Sequence, residues 1–391
     1  MSTQPNLPDQ IRMPAQHDRI QINAGLSLVV AVLVLVFLGI HQHLEPQFDF
    51  GIFYYAAQMI TGGDRHNLYT AAIQHLYQIK FHRPPDTLFR NPPFALIPLL
   101  PLTILPAPAA FVVWTVVSII VLIVSLKILE KETGLCYGNW PVLLGLLFVP
   151  VFDSLMHGQF SLLIVLFYAL TYAQWKKGNL FLGGLILSLA LLKFQLVVGF
   201  VAILLLKRKW KELGGFAIGA ALLGLLSLAI VGFDGAKAYP YFVMHANPIV
   251  NELPHKANWQ GLLSLIGQND TVWVALLSIA TLIWAARAWT DLDRGFCAAV
   301  LAVMLASYHL TPEDISLAIV PFYLAVSAGI IPRERVTLVA ATGIGIMMVF
   351  VFIGIPMAFF CLVLAFSLVW VGTHSSNARP DPTHSEPVPA N

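Results

Sequence analysis

Asp49 stands in the stretch Gln47-Phe48-Asp49-Phe50-Gly51-Ile52-Phe53-Tyr54-Tyr55, just after the first apolar run of the chain. A carboxylate between two phenylalanines at a membrane boundary is costly without a partner or a task. Two readings stand side by side. Asp49 could be a general base in partly desolvated surroundings, or the N-cap of a helix starting near Phe50, a place Asp suits well. Asp153 and His157 are spaced i, i+4, which sets both on one helix face, and Gly158-Gln159 follow. As a pair they can also simply close a helix end. Lys193, in Leu191-Leu192-Lys193-Phe194-Gln195, either snorkels to the interface or faces a lipid phosphate. His309-Leu310-Thr311-Pro312-Glu313-Asp314 forms a polar turn. His309 and Glu313 are too few ligands to claim a metal site, and Thr311 as a cap with Pro312 at the first helical position accounts for much of it. His245, Asn247, Asn251, His255, Lys256, Asn258, Trp259 and Gln260 gather in one later segment. Such amides and aromatics suit sugar binding and equally suit a solvated loop.

The elements that hold these residues are apolar. Of 391 residues 58% are hydrophobic and 11% charged, against about 25% charged in an ordinary soluble domain. Runs of membrane-spanning length recur from Ala24 to Val371. In a bilayer core every backbone amide must find its partner within the chain, so these runs read as helices, and they do not alternate as barrel strands would. The sequence predicts an all-α polytopic bundle of about twelve spans. They cover residues 24–43, 97–129, 141–156, 160–175, 179–192, 196–206, 213–233, 272–289, 295–308, 315–331, 336–354 and 357–373. Prolines 92, 93, 98, 101, 106 and 108 make the first half of the second span a kinked or re-entrant piece. Cys136, Cys297 and Cys361 lie far apart in or near apolar runs, which speaks for neither a disulfide framework nor a metal cluster. No small-residue cleavage site follows the first run, so it reads as a retained span.

Lysine and arginine set the orientation. With the N-terminus inside and the spans alternating, 15 of the 22 fall inside and 7 outside. Both termini are then cytoplasmic. The expected organisation is a cytoplasmic tail over 1–23, a membrane domain over 24–373 and a disordered cytoplasmic tail over 374–391. Two large loops, roughly 44–96 and 234–271, lie outside, and loops of that size in a compact protein are usually functional. The net charge of +2 says nothing about partners. No Walker A motif and no Gly-x-Gly-x-x-Gly in a βαβ context is present, and the cytoplasmic connectors are too short for a nucleotide-binding domain. An activated substrate should therefore arrive from the membrane or from outside.

The order of these features resembles the GT-C superfamily of membrane glycosyltransferases, and within it glycosyltransferase family 87, the polyprenyl-phosphate-mannose-dependent α-1,2-mannosyltransferase type. The likeness runs from about Asp49 to Asp314. It takes in Asp49, the Tyr54-Tyr55-Ala56-Ala57 helix, Gly62-Gly63, Leu68-Tyr69, Asn91-Pro92-Pro93, Pro98…Pro101-Leu102…Leu105-Pro106 and Trp114. It continues through Gly158-Gln159, Gly183-Gly184…Lys193, Lys207-Arg208-Lys209-Trp210 and Asn258. The chain departs from the family pattern at Asn91, where Tyr is usual, at Ser161, where Asn is usual, and at Leu196, where Pro is common.

The resemblance implies a GT-C-like fold with a large first external loop and an inverting transfer of mannose or a similar hexose. The donor would be a polyprenyl-phosphate sugar, and the acceptor a glycan or glycolipid hydroxyl outside the inner membrane. Asp49 would take the acceptor proton. Lys193, His309 and Arg90 would bind the donor phosphate as charge grows on it. Gln159, Asp153, His157, Tyr54 and Asn258 would orient substrate. No cofactor is required; some GT-C enzymes use a divalent metal, and nothing in these residues demands one. No nucleic acid partner is implied. The alternative is a transporter or flippase of lipid-linked saccharides. A twelve-helix transporter would be expected to show pseudo-repeated halves, and none is visible.

Overall fold

A computed structural model describes residues 49–81, 88–135, 140–245, 253, 255–267 and 271–373. The expected first span, both tails and parts of the two external loops lie outside the described residues. Every regular element described is helical, as backbone self-satisfaction in lipid requires.

The helices, in chain order, are α1 (Asp49–Thr61), α2 (Ala71–Lys80), α3 (Ala107–Thr133), α4 (Trp140–Leu147), α5 (Val149–His157) and α6 (Ser161–Lys176). They continue as α7 (Leu180–Leu187), α8 (Val198–Leu206), α9 (Trp210–His245), α10 (Trp259–Leu265), α11 (Thr271–Ala288) and α12 (Leu292–Ala306). The last are α13 (Ile319–Ser327), α14 (Val336–Ile353) and α15 (Phe360–Thr373). Tighter 3₁₀ segments occupy Pro93–Ile104, Ser188–Leu196 and Pro312–Ala318. Pro98 and Pro101 sit inside the first of these, where missing amides forbid a regular α-helix. The prolines thus act as expected, and α3 carries the span alone.

Among the described residues four helices are long and apolar enough to cross a membrane: α3, α9, α11 and the stretch Arg333–Val351, which covers most of α14. The pair Leu180–Leu196 and Val198–Leu206 counts as a fifth only if its 116° bend is taken as one broken span. Length and composition thus support four or five full crossings among the described residues, and the expected span 24–43 lies outside them. Most of the other expected spans are present as shorter helices, because Pro, Gly and 3₁₀ turns divide the apolar runs. The described parts of 44–96 and 234–271 are also helical in large part. The first holds α1 and α2; α9 runs on to His245 past a break at Gly232, and α10 follows.

The core sits around α12, whose residues from Arg294 to Leu305 are all buried. It packs on α11, α13 and α15, while α3 packs on α6 and α7 on α9. In lipid the hydrophobic effect does not drive helices together, so close packing and polar ties must do so. Phe200 and Phe296 meet at 5.0 Å between ring centroids, with Tyr168 and Trp175 edge-on to them. Each such pair contributes about 0.5–1.5 kcal/mol beyond its area. At Gly184 and Gly215 the backbones of α7 and α9 touch. A Cβ at Gly184 would overlap the Glu212 carbonyl, and one at Gly215 the Phe181 carbonyl.

Helix ends of one sense gather at a basic face. Tyr172 donates from α6 to Asp293 of α12 at 2.6 Å, and Ser327 of α13 donates to the other Asp293 oxygen. Lys176 reaches the Tyr172 hydroxyl at 3.1 Å, and Lys177 pairs with Glu132 at 3.3 Å. Gly134 lies beside Arg333, joining the end of α3 to the start of α14. The opposite helix ends carry the candidate catalytic residues.

Candidate active site

Asp49 is the first residue of α1 and is half-buried, so its carboxylate can still be reached. Gln159 donates its side-chain amide to Asp49. That contact depends on Gly158, which ends α5 in the left-handed conformation (φ 66°). A Cβ at Gly158 would stand 2.6 Å from Phe50 and 2.9 Å from Phe111, so the close approach excludes any side chain there. Trp114 Nε1 donates to the Gly158 carbonyl at 2.9 Å and fixes the turn. The sequence Gly158-Gln159 thus turns α5 into α6 and lays the amide on Asp49.

Asp153 and His157 meet as their spacing predicts, with Nδ1 3.1 Å from the Asp153 carboxylate and 3.0 Å from its carbonyl. Burial opposes a charge on His157. The hydrogen bond and charge of Asp153, then the charges of Asp49 and Glu313, outweigh it and raise the pKa to about 9. His157 is a cation at neutral pH.

Lys193 does not snorkel. Its side chain is 6% exposed and its ammonium pairs with Asp314, whose side chain is 0% exposed. Lys193 also donates to Ser161 Oγ at 2.9 Å, and the Ser161 hydroxyl in turn donates a hydrogen bond to Asp314 at 2.8 Å. The local backbone explains the direction of the side chain. Lys193 has non-helical angles (φ −124°, ψ 74°) inside its 3₁₀ segment, just before the 116° bend. The freed carbonyls find partners, Leu192 from Asn91 at 3.3 Å and Leu196 from the Tyr168 hydroxyl. Lys193 lies within electrostatic reach of Asp314, Glu313 and Asp49.

Glu313 shares this buried space. The Thr311 hydroxyl lies 2.6 Å from Glu313 Oε1 and 3.1 Å from Asp314 Oδ2. One hydroxyl proton cannot serve two ionised carboxylates, so a proton on Glu313 completes the arrangement. Burial raises the Glu313 pKa to about 8, against the pull of Lys193 and with the push of Asp314, Asp153 and Asp49. Burial conversely lowers His309 to about 4, and Lys256, Lys193 and Arg90 add to that against the charge of Asp314. His309, expected as a cation for a phosphate, is held as a neutral imidazole that can offer one N–H. Arg90 belongs to the same electrostatic neighbourhood.

Tyr54 and Asn258, expected to orient substrate, are taken up by the fold. The Tyr54 hydroxyl donates to the Leu105 carbonyl at 2.6 Å and accepts from Gln58 at 3.0 Å, tying α1 to the proline-rich segment. Asn258 caps α10 by accepting from Gly261 N at 2.9 Å and donates to the Ser307 carbonyl at 2.7 Å. Buried polar groups in an apolar bundle must be satisfied, and these two are satisfied by backbone. Among the described residues no three His, Cys, Asp or Glu side chains are grouped to hold a metal ion.

The structure therefore brings Asp49, Gln159, Asp153, His157, Lys193, His309 and Arg90 into one region. It adds Ser161, Glu313 and Asp314, to which no role was attached from sequence. The signal for Asp314 was its place in an apolar chain: a carboxylate there needs a cation, and Lys193 was the unpaired candidate.

No curated protein and no solved structure matches the chain. The profile of glycosyltransferase family 87 matches residues 89–312, more than half of the chain. The matched range holds Gln159, Ser161, Lys193 and His309; Asp49 precedes it and Glu313 and Asp314 follow it. With its apolar helices and this match, the chain belongs to glycosyltransferase family 87 and is a membrane glycosyltransferase.

Proposed function

We propose that this protein transfers mannose or a similar hexose from a polyprenyl-phosphate donor to an acceptor hydroxyl on the extracytoplasmic face of the cell membrane. The observation that carries the reading is the half-buried Asp49 carboxylate, oriented by Gln159 within electrostatic reach of His157, Lys193 and Glu313. Asp49 takes the acceptor proton and the freed oxygen bonds to the anomeric carbon. The bond from that carbon to the phosphate oxygen breaks, and its electrons leave with the phosphate. One base and one departing phosphate give inversion through an oxocarbenium-like transition state.

His157 and Arg90 supply positive charge toward the leaving phosphate. Lys193 has two of its three N–H groups engaged with Ser161 and Asp314, which leaves one for a donor oxygen. The 15-to-7 division of Lys and Arg supports a cytoplasmic basic face and an extracytoplasmic acid cluster.

The test is transfer from labelled polyprenyl-phosphate mannose in membranes that overexpress the chain. Asp49→Asn keeps size and most hydrogen bonding, so an N-cap role would survive it. A lost base lowers the rate on the order of 10²–10⁴-fold. Transfer by Asp49→Asn at near wild-type rate would remove Asp49 from the mechanism and make Asp153 the next carboxylate to examine.

A further inference from the structure

A cavity of about 930 Å³ opens between α3, α4, α12, α13, α14 and α15, away from the acid cluster. Its walls are almost wholly apolar, with Phe148, Phe322, Ile344 and Phe360 among them. Among the described residues Arg335 is the single charged one in the lining. The cavity exists because α14 is loosely covered. Of its described residues only Val336 and Met347 are buried.

We infer that this cavity binds one acyl chain of an anionic glycerophospholipid, drawn from the leaflet on the basic face. Three observations support that occupant. First, the lining residues Arg335 to Ile346 follow α14 for about 16 Å at 1.5 Å per residue. That is the depth of one leaflet, about half of a 30 Å hydrocarbon core. Second, Arg335 is exposed and ends the 3₁₀ turn Arg333–Arg335 that leads into α14. Its guanidinium favours a phosphate. Third, the lining extends to Leu135 and Pro332 at the basic face, where Arg333 stands beside Gly134.

A lipid seated this way holds its phosphate at the end of the bundle opposite Asp49. It is therefore a resident of the fold and not the sugar donor, whose phosphate must reach the acid cluster.

The experiment compares retention of phosphatidylglycerol and phosphatidylcholine with matched acyl chains by native mass spectrometry of the full chain purified in detergent. The wild type should favour the anionic lipid about fivefold, the effect of one surface arginine. Arg335→Gln, a change at an exposed position, should remove that preference while acyl binding persists. Gly343 lines the cavity, and a Cβ there meets nothing within 4 Å, so Gly343→Phe should fill the space and reduce retention of both lipids to background. Equal retention of the two lipids by the wild type, or unchanged retention by Gly343→Phe, overturns the inference. Displacement of phosphatidylglycerol by polyprenyl phosphate at equal concentration also overturns it, because the cavity would then serve the donor tail.

Discussion

The two ends of the bundle each hold carboxylates between helices, and they treat them differently. At the basic face Asp293 accepts from Tyr172 and Ser327, one hydroxyl to each oxygen, with Lys176 behind the tyrosine. Its neighbours are short, fixed donors on α6 and α13, so the cluster joins three helices and leaves nothing over. At the other end the four carboxyl groups of Asp49, Asp153, Glu313 and Asp314 share space with three cations, Lys193, His157 and Arg90. One of those acids, Glu313, holds a proton instead of finding a cation. A cluster satisfied by hydroxyls is a joint. A cluster with more acids than partners retains capacity to move protons, and this is the physical reason to place chemistry there.

The largest expected effect tests whether Lys193–Asp314 is a joint within the reactive end. Lys193→Met leaves Asp314 buried without its cation and should lower stability by about 3–5 kcal/mol, read by thermal unfolding in detergent. Lys193→Met combined with Asp314→Leu should recover most of that, because no unpaired charge remains. A single variant as stable as the wild type would mean that water reaches Asp314.

Next is the joint itself. Tyr172→Phe removes one donor from Asp293 and should destabilise by about 1.5–3 kcal/mol, the range for a hydrogen bond to a charged group. Transfer activity per folded molecule should stay within twofold. A loss of activity without a loss of stability would erase the contrast between the two ends.

Glu313 sharpens the comparison through pH. Its pKa rises on folding from 4.5 to about 8, so the folded chain holds a proton that the unfolded chain has released. Its contribution to stability is full below the unfolded value and is lost as pH rises toward 8. Glu313→Gln should flatten the decline in melting temperature across that window. An unchanged slope would show Glu313 ionised in the fold.

The smallest effect belongs to Asp153 and His157, whose side chains are 28% and 36% exposed. Asp153→Asn should change stability by about 0.5 kcal/mol or less. Any larger deficit in transfer rate would then report on charge at the site.

Much of this arrangement was legible in the residues. Apolar runs located most helices, and the prolines before α3 marked an irregular entry. The i, i+4 spacing of Asp153 and His157 gave their contact, and Gly158-Gln159 stood out as a turn. Partnerships across the fold were not legible. Lys193 and Asp314 lie far apart in sequence, and only the bend after Lys193 turns its ammonium inward. Ser161 looked like a simple departure from a family pattern, yet its hydroxyl bridges that pair. Tyr54 and Asn258, expected to orient substrate, turned out to hold backbone groups. A polar side chain in an apolar chain looks functional, but unpaired carbonyls beside prolines and helix ends also require donors. Sequence names the donor without naming the acceptor.

The backbone contact between α7 and α9 at Gly184 and Gly215 bears on how the proposed lipid-linked donor would reach the site. Two helices that touch carbonyl to glycine cannot slide past one another without first separating, so this flank moves as one plate. Lys193, carried on the chain just after α7, inherits that stiffness and acts as a fixed post. Along α14 the packing is thinner, since of its described residues only Val336 and Met347 are buried. One flank is thus locked backbone to backbone, and the other is held at few points.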